Sequence, residues 1–254
     1  MEWSKAKSLL ILLMVAVNLY LGINIYTQLQ AQSSQERQMV EDACAILEQR
    51  GFIFEREAFL ELPAELESWT WARDLSAERE AAQRLLGRCS EECPGGGIYT
   101  YSGGGGKVTF RSGGYAEVQP AGKENLDLSV LLKPQGEENR LTMAENDGQY
   151  ALHLDGYAVE GAVMSRGEGE TWSGSWIFAV QPQSGGKSLS RAQLILTAAN
   201  LLESRGVYTL EQMSCVYTLT ALQNGDVHLI PVLVLEADGE MLCISMITGA
   251  ELTV

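Results

Sequence analysis

Histidine is almost missing from this chain and cysteine is sparse: its 254 residues hold two of the first, His153 and His228, and five of the second. Each His lies inside a strand-like alternation without an HExxH-type neighbour, so neither marks a zinc centre. Cys44, Cys89, Cys93, Cys215 and Cys243 are too few for a disulfide scaffold and, being odd in number, cannot all pair within one chain. Cys89-x-x-x-Cys93 has no second pair or nearby His to complete a metal site, and is either a local disulfide or two thiols. The other three sit in apolar patterns and read as small hydrophobes. No metal or cofactor is expected.

Basic residues are also short, 18 Lys and Arg against 33 Asp and Glu, for a net charge of −15. That balance excludes nucleic acid and anionic surfaces as partners and suits solubility outside a cell. A G-x-S-x-G elbow for a serine nucleophile is absent. Two stretches imitate phosphate loops and fail: Gly186-Lys187-Ser188 has Gln181 where the first glycine belongs, and residues 103–106 before Lys107 follow Tyr101 and precede Val108. Both read as turns. Carboxylates are so numerous that a pair at glycosidase spacing carries no weight, which leaves a surface-anchored hydrolase as an alternative only. The chain reads as non-catalytic.

Charge vanishes altogether between Lys7 and Glu36. Residues 8–26 are uncharged and mostly apolar and, as a helix rising about 1.5 Å per residue, match one bilayer core of roughly 30 Å. No A-x-A cleavage site follows, and Tyr20 and Tyr26 suit interfacial anchoring, so the segment is expected to stay as an uncleaved transmembrane helix. Lys5 and Lys7 keep the N-terminus in the cytosol and the rest of the chain extracytoplasmic at the cell membrane. Met14, Asn18, Leu21, Gly22 and Ile25 fall on one face of that helix. There an amide and a small residue allow close approach of a partner helix.

Beyond a polar stalk at 27–36, Met39, Val40, Ala43, Cys44, Ile46 and Leu47 recur at helical spacing until Arg50 and Gly51 stop them. A short strand at 52–54 and an irregular stretch at 55–74 are expected next. Ser76 can then cap a second helix that Gly87 ends. Strands at 98–101, 107–111 and 115–118, joined by glycine turns, predict an antiparallel meander packed on helices.

Residues 120–134, with a doubtful helix at 126–132, mark a domain boundary. Strands near 140–143, 150–154, 157–164 and 171–180 follow, then a helix over 189–204 stopped by Gly206, then strands at 214–222, 227–235 and 240–247. Asn224-Gly225 and Asp238-Gly239 are hairpin turns, and Pro231, which cannot donate to a ladder, marks an edge or bulge. Residues 47–52 echo residues 202–207, so helix-stop grammar or duplication of a helix-plus-sheet unit are both open. The expected domains are 1–7 cytoplasmic, 8–26 transmembrane, 27–36 stalk, 37–122 first α+β and 123–254 second α+β.

The opening Met1-Glu2-Trp3-Ser4-Lys5-Ala6-Lys7, followed at once by the apolar helix, resembles that of the YycI proteins of Gram-positive bacteria and, more loosely, YycH. Glu2, Trp3 and Lys5 carry the motif. Residues 46–54 with Leu62-Pro63, residues 99–118, and the run from Pro231-Val232 through Asp238-Gly239 to Thr248-Gly249 agree with it. Leu233 and Cys243 depart from it, where an aromatic and a tyrosine are usual. The resemblance implies an α+β fold: a transmembrane helix, then two PepSY-like helix-plus-antiparallel-sheet units. It implies a regulator of a WalK-type sensor histidine kinase that controls cell-wall metabolism, with the anchor touching kinase helices and a YycH-like companion outside. A PepSY-like inhibitor or chaperone of an exported protease is the other reading of such units.

Overall fold

The computed structural model describes residues 2–122, 128, 140–146, 148–167, 170–177 and 182–252. Its first element, helix α1 (Glu2–Gln49), runs unbroken for 48 residues, roughly 72 Å at 1.5 Å per residue. The stalk expected at 27–36 is therefore part of one helix. Neither Gly nor Pro occurs from Thr27 to Arg50, and Gln, Ala, Glu and Arg favour helix without any apolar periodicity. Pairs at i, i+4 add to this: Gln30 Nε2 donates to Tyr26 Oη at 3.0 Å, Arg37 to Glu41 at 3.2 Å and Gln38 to Asp42 at 3.0 Å.

Gly51, at φ +87°, ends α1 by letting Phe52 N turn back to Leu47 O at 3.1 Å. Helix α2 (Arg56–Glu61) and strand β1 (Glu67–Trp71) then occupy the stretch expected to be irregular. The expected strand at 52–54 contracts to one parallel bridge between Ile53 and Thr209. Helix α3 (Leu75–Leu86) is capped by Asp74, not Ser76: the Asp74 carboxylate accepts from Ser76 N at 2.9 Å and Ala77 N at 3.2 Å.

The meander comprises β2 (Cys89–Gly95), β3 (Ile98–Gly103), β4 (Gly106–Arg111) and β5 (Tyr115–Pro120). The proposed boundary helix at 126–132 lies outside the described residues except for Leu128, which is buried. Hairpin strands β6 (Leu141–Asn146), β7 (Gln149–Leu154) and β8 (Tyr157–Arg166) lead to β9 (Trp172–Ser175) and β10 (Pro182–Lys187). Helix α4 (Arg191–Ser204) precedes β11 (Leu210–Ala221), β12 (Val227–Ala237), β13 (Glu240–Ser245) and β14 (Glu251–Leu252). Gly186 and Lys187 belong to β10 and pair with β1, so that imitation loop is an edge strand and not a turn.

The fold is mixed α+β, with an N-terminal apolar helix and one large, mostly antiparallel sheet. Its order is β10-β1-β12-β11-β8-β9-β5-β4-β3-β2, with β13 and β14 continuing from β12 and β6 and β7 from β8. Two long strands change partner part-way. On one side β12 pairs β1 through Val227–Leu229 and β13 from Val232 onward, and Pro231 stands at the changeover. On one side β8 pairs β11 in parallel at Val159 and Glu160 and β9 from Met164 onward, with Gly161 between at φ +82°. Pro231 stands at neither the edge nor the bulge expected for it: β12 is an inner strand, in unbroken register with β11 across this position, and the proline falls in that gap, where a missing N–H costs no ladder bond.

Among the described residues, apolar side chains gather into two clusters. One packs Ala81, Ala82 and Leu86 of α3 on Tyr101, Val108, Phe110, Val118, Leu152 and Met164 of the sheet. The other packs Val40, Ala43, Cys44 and Leu47 of α1 on Leu194, Ile195, Ala198 and Leu202 of α4 and on Leu233, Leu235 and Ile244 beneath. The division expected at 122/123 is crossed by both clusters, since residues 40–66 pack with 194–246 and residues 217–229 with the meander. Truncating Leu47 to Ala in such a site costs about 2–5 kcal/mol.

Candidate functional site

The stripe singled out on α1 is open along its length. Met14, Asn18, Leu21, Gly22 and Ile25 are all exposed, and a Cβ added at Gly22 would meet nothing within 4 Å. Glu2 and Lys5 begin the same helix with Trp3, and the side chains of all three lie outside the description. By length and composition α1 carries one segment able to cross a membrane. Gly22 and Val40 are 18 residues apart, about five whole turns, so the stripe continues on the side of α1 that the body packs against.

What fixes α1 to the body is read upward from Glu36. Among residues 10–39 whose side chains are described, Glu36 alone is half-buried and the others are exposed. Its Oε1 accepts from Arg191 Nε at 2.9 Å, and Arg191 Nη1 donates to Leu60 O at 2.8 Å and to Leu62 O at 3.3 Å. Arg191 opens α4, whose N-terminus is set by a capping box between Ser190 and Gln193. Two open clefts adjoin this tie, one bounded by Ser34, Arg37 and Leu60, the other by Leu29, Met39 and Glu65.

One turn higher the apolar contacts begin at Val40, and burial raises the Cys44 thiol above its ordinary value. Arg56 grips Glu48 through two bonds of 2.7 Å, which holds that carboxyl below its usual range. At the top, α1 and α4 end alike. Gly206 N meets Glu203 O and Val207 N meets Leu202 O, both at 3.0 Å, matching Gly51 N to Glu48 O at 3.0 Å and Phe52 N to Leu47 O at 3.1 Å. Residue pairs 36/191 and 50/203 therefore fall in ascending order, and the two helices run parallel.

A second polar cluster is structural. Arg73 pairs with the almost fully buried Glu78 through bonds of 2.7 and 2.9 Å, donates to Gly97 O at 2.5 Å and Ser112 Oγ at 3.2 Å, and lies over the Tyr99 ring. Burial raises the Glu78 carboxyl and Arg73 offsets that only in part. The adjoining cavity, lined by Trp71, Asp74, Trp176 and Val227, has a volume of about 20 Å³, room for one water and no ligand. Tyr217 and Cys215 are both pushed up to about 12 by burial, so neither is primed as a nucleophile. His153 and His228 stand in separate strands, β7 and β12.

The arrangement suits mechanical transmission: an open face at one end of a helix whose other end is part of a core. The open stripe is the part that sequence pattern locates. Glu36 and Arg191 are not so located, because they are 155 positions apart and neither belongs to a motif.

No family model matches the chain, and no curated relative does either. Among solved structures it is similar to an uncharacterized protein from Eubacterium rectale, at 11% identity over 75% of this chain and 87% of that one, with a TM-score of 0.36. It is also similar to the Bacillus megaterium YpeB C-terminal domain, at 12% identity over 71% of this chain and 96% of that one, with a TM-score of 0.29.

Proposed function

We propose that this protein is a non-catalytic, membrane-anchored regulator of a sensor histidine kinase of the WalK type, which controls cell-wall metabolism. Residues 8–26 of α1 cross the cell membrane with Glu2, Trp3 and Lys5 in the cytosol and the sheet-bearing body outside. The Asn18–Gly22 stripe packs on kinase helices, and the body, two PepSY-like units in this reading, meets a YycH-like companion. The observation that carries the proposal is the continuity of α1 from the open stripe into the core it shares with α4. A displacement of the body must move the stripe, because no hinge residue lies between Thr27 and Arg50. The opening motif and the later passages of YycI type supply the kinase.

A bias of a few kcal/mol between kinase states is enough for such coupling. The test exchanges residues 8–26 for an unrelated apolar helix and measures autophosphorylation of the co-reconstituted kinase. Regulation is expected to vanish while the body keeps its unfolding transition. Unchanged kinase output after the exchange overturns the proposal.

A further inference from the structure

We infer that the Glu36–Arg191 ion pair is a steering clamp: it sets the direction in which α1 leaves the body, and through that direction the state of the membrane partner. The inference rests on the regulatory reading above. Both side chains are largely sheltered, 17% exposed for Arg191 and 24% for Glu36, so solvent screens this pair less than the exposed pair Arg37–Glu41. Arg191 is itself held from three sides. The α4 backbone fixes its root, Leu60 O and Leu62 O accept from Nη1 of the guanidinium, and Glu36 accepts from Nε.

Position gives the pair its leverage. The apolar grip on α1 spans Val40 to Leu47, and the clamp adds a polar contact about one turn nearer the apolar end. From Glu36 down to Asn18 the helix extends roughly 27 Å. A small lateral shift at Glu36, pivoting about the Val40–Leu47 contact, is thus enlarged at the stripe. The clefts bounded by Ser34, Arg37 and Leu60 and by Leu29, Met39 and Glu65 provide the room into which the helix swings when the clamp opens. With the clamp closed the stripe is held in one direction; with it open, several directions become accessible.

The test uses the full chain in nanodiscs with spin labels on genetically encoded side chains at Tyr20 and Met241. Both are exposed, 66% and 69%, and the native cysteines stay in place. Glu36→Ala should broaden the label-to-label distance distribution about twofold and shift the output of the co-reconstituted kinase, whereas Arg37→Ala should do neither. The body should stay folded in both variants, with the unfolding temperature lowered more by Glu36→Ala, which leaves the sheltered Arg191 without its carboxylate, than by Arg37→Ala. An unchanged distribution in Glu36→Ala overturns the clamp and leaves the regulatory reading standing. A broadened distribution with unchanged kinase output, in a preparation where the exchange of residues 8–26 still abolishes regulation, overturns the steering role. If that exchange also has no effect, the regulatory reading fails and the steering role falls with it.

Discussion

Arg50 Nη1 stands 2.8 Å from Asn200 Oδ1 and 3.3 Å from Glu203 Oε2, tying the last turn of α1 to the last turn of α4. Directly beyond, Ile53 N donates to Tyr208 O at 2.8 Å and Leu210 N to Ile53 O at 2.9 Å, so the two exits are stitched together by backbone as well. The echo between residues 47–52 and 202–207 is thus two identical caps standing side by side.

Loss of either cap should be felt by both helices. Gly51 and Gly206 have φ of +87° and +72°, and an L side chain there costs about 1–2 kcal/mol. Gly51→Ala and Gly206→Ala should each lower stability by that amount in urea unfolding. Arg50→Ala should cost less, about 0.5 kcal/mol, because the pair with Glu203 is open to solvent.

The Arg73–Glu78 pair predicts a pH signature. Glu78 has an ordinary value of 4.5 in the unfolded chain and a raised one when buried, so the folded state holds its proton more tightly. Its contribution to stability is fully present below about pH 4.5 and is lost as pH climbs through the raised value. The difference in unfolding free energy between the native protein and Glu78→Gln should therefore fall with rising pH above 4.5. A difference that rises with pH contradicts the assignment. Arg73→Ala, which leaves Glu78 buried and unpaired, should cost about 3–5 kcal/mol.

Thiol chemistry gives a third check. Cys89 and Cys93 lie four residues apart on β2, roughly 13 Å, well beyond the reach of a disulfide. Cys93 is exposed, while Cys44 and Cys243 are buried and burial lifts both thiols, as it does Cys215. Iodoacetamide at pH 8 should modify Cys93 rapidly in the native protein, and Cys44, Cys215 and Cys243 only after unfolding, as read by intact mass. Rapid native labelling at Cys215 would contradict the packing described.

Elements that organise themselves locally can be read from the amino-acid order. Helices α3 and α4 declare themselves by apolar spacing and a glycine stop. The Asp155-Gly156 and Asp238-Gly239 turns do so by the positive φ both residues adopt, 51° and 87° in one, 48° and 77° in the other. Elements fixed from afar are hidden. Strand β1 is short and flanked by charge, and its ladders come from β12 and β10, more than 100 positions away. Strands β2 and β10 are polar, glycine-bearing edges that lack a strand's usual composition. The continuity of α1 was hidden because a solvated polar helix has no apolar period to display. For the candidate site, periodicity finds the Asn18–Gly22 stripe and misses the Glu36–Arg191 contact, which exists only after α4 has docked.

The stripe can be tested without disturbing the fold. Gly22 faces open space, so Gly22→Leu and Asn18→Leu should leave the unfolding of the body unchanged. Each should weaken co-purification of the membrane partner from detergent: Asn18→Leu removes an interhelical hydrogen bond of about 0.6–1.7 kcal/mol, and Gly22→Leu blocks close approach of the partner helix. Full retention of the partner in both variants would count against the stripe as a contact face.

Helix continuity is the central claim, and alanine insertions after Gln30 test it most directly. One added residue turns the stripe by about 100° relative to the body, while seven bring it back to within about 20°. With the kinase co-reconstituted, one insertion should abolish regulation and seven should restore it. Output that ignores the phase of the insertion, as a flexible stalk would allow, contradicts the account.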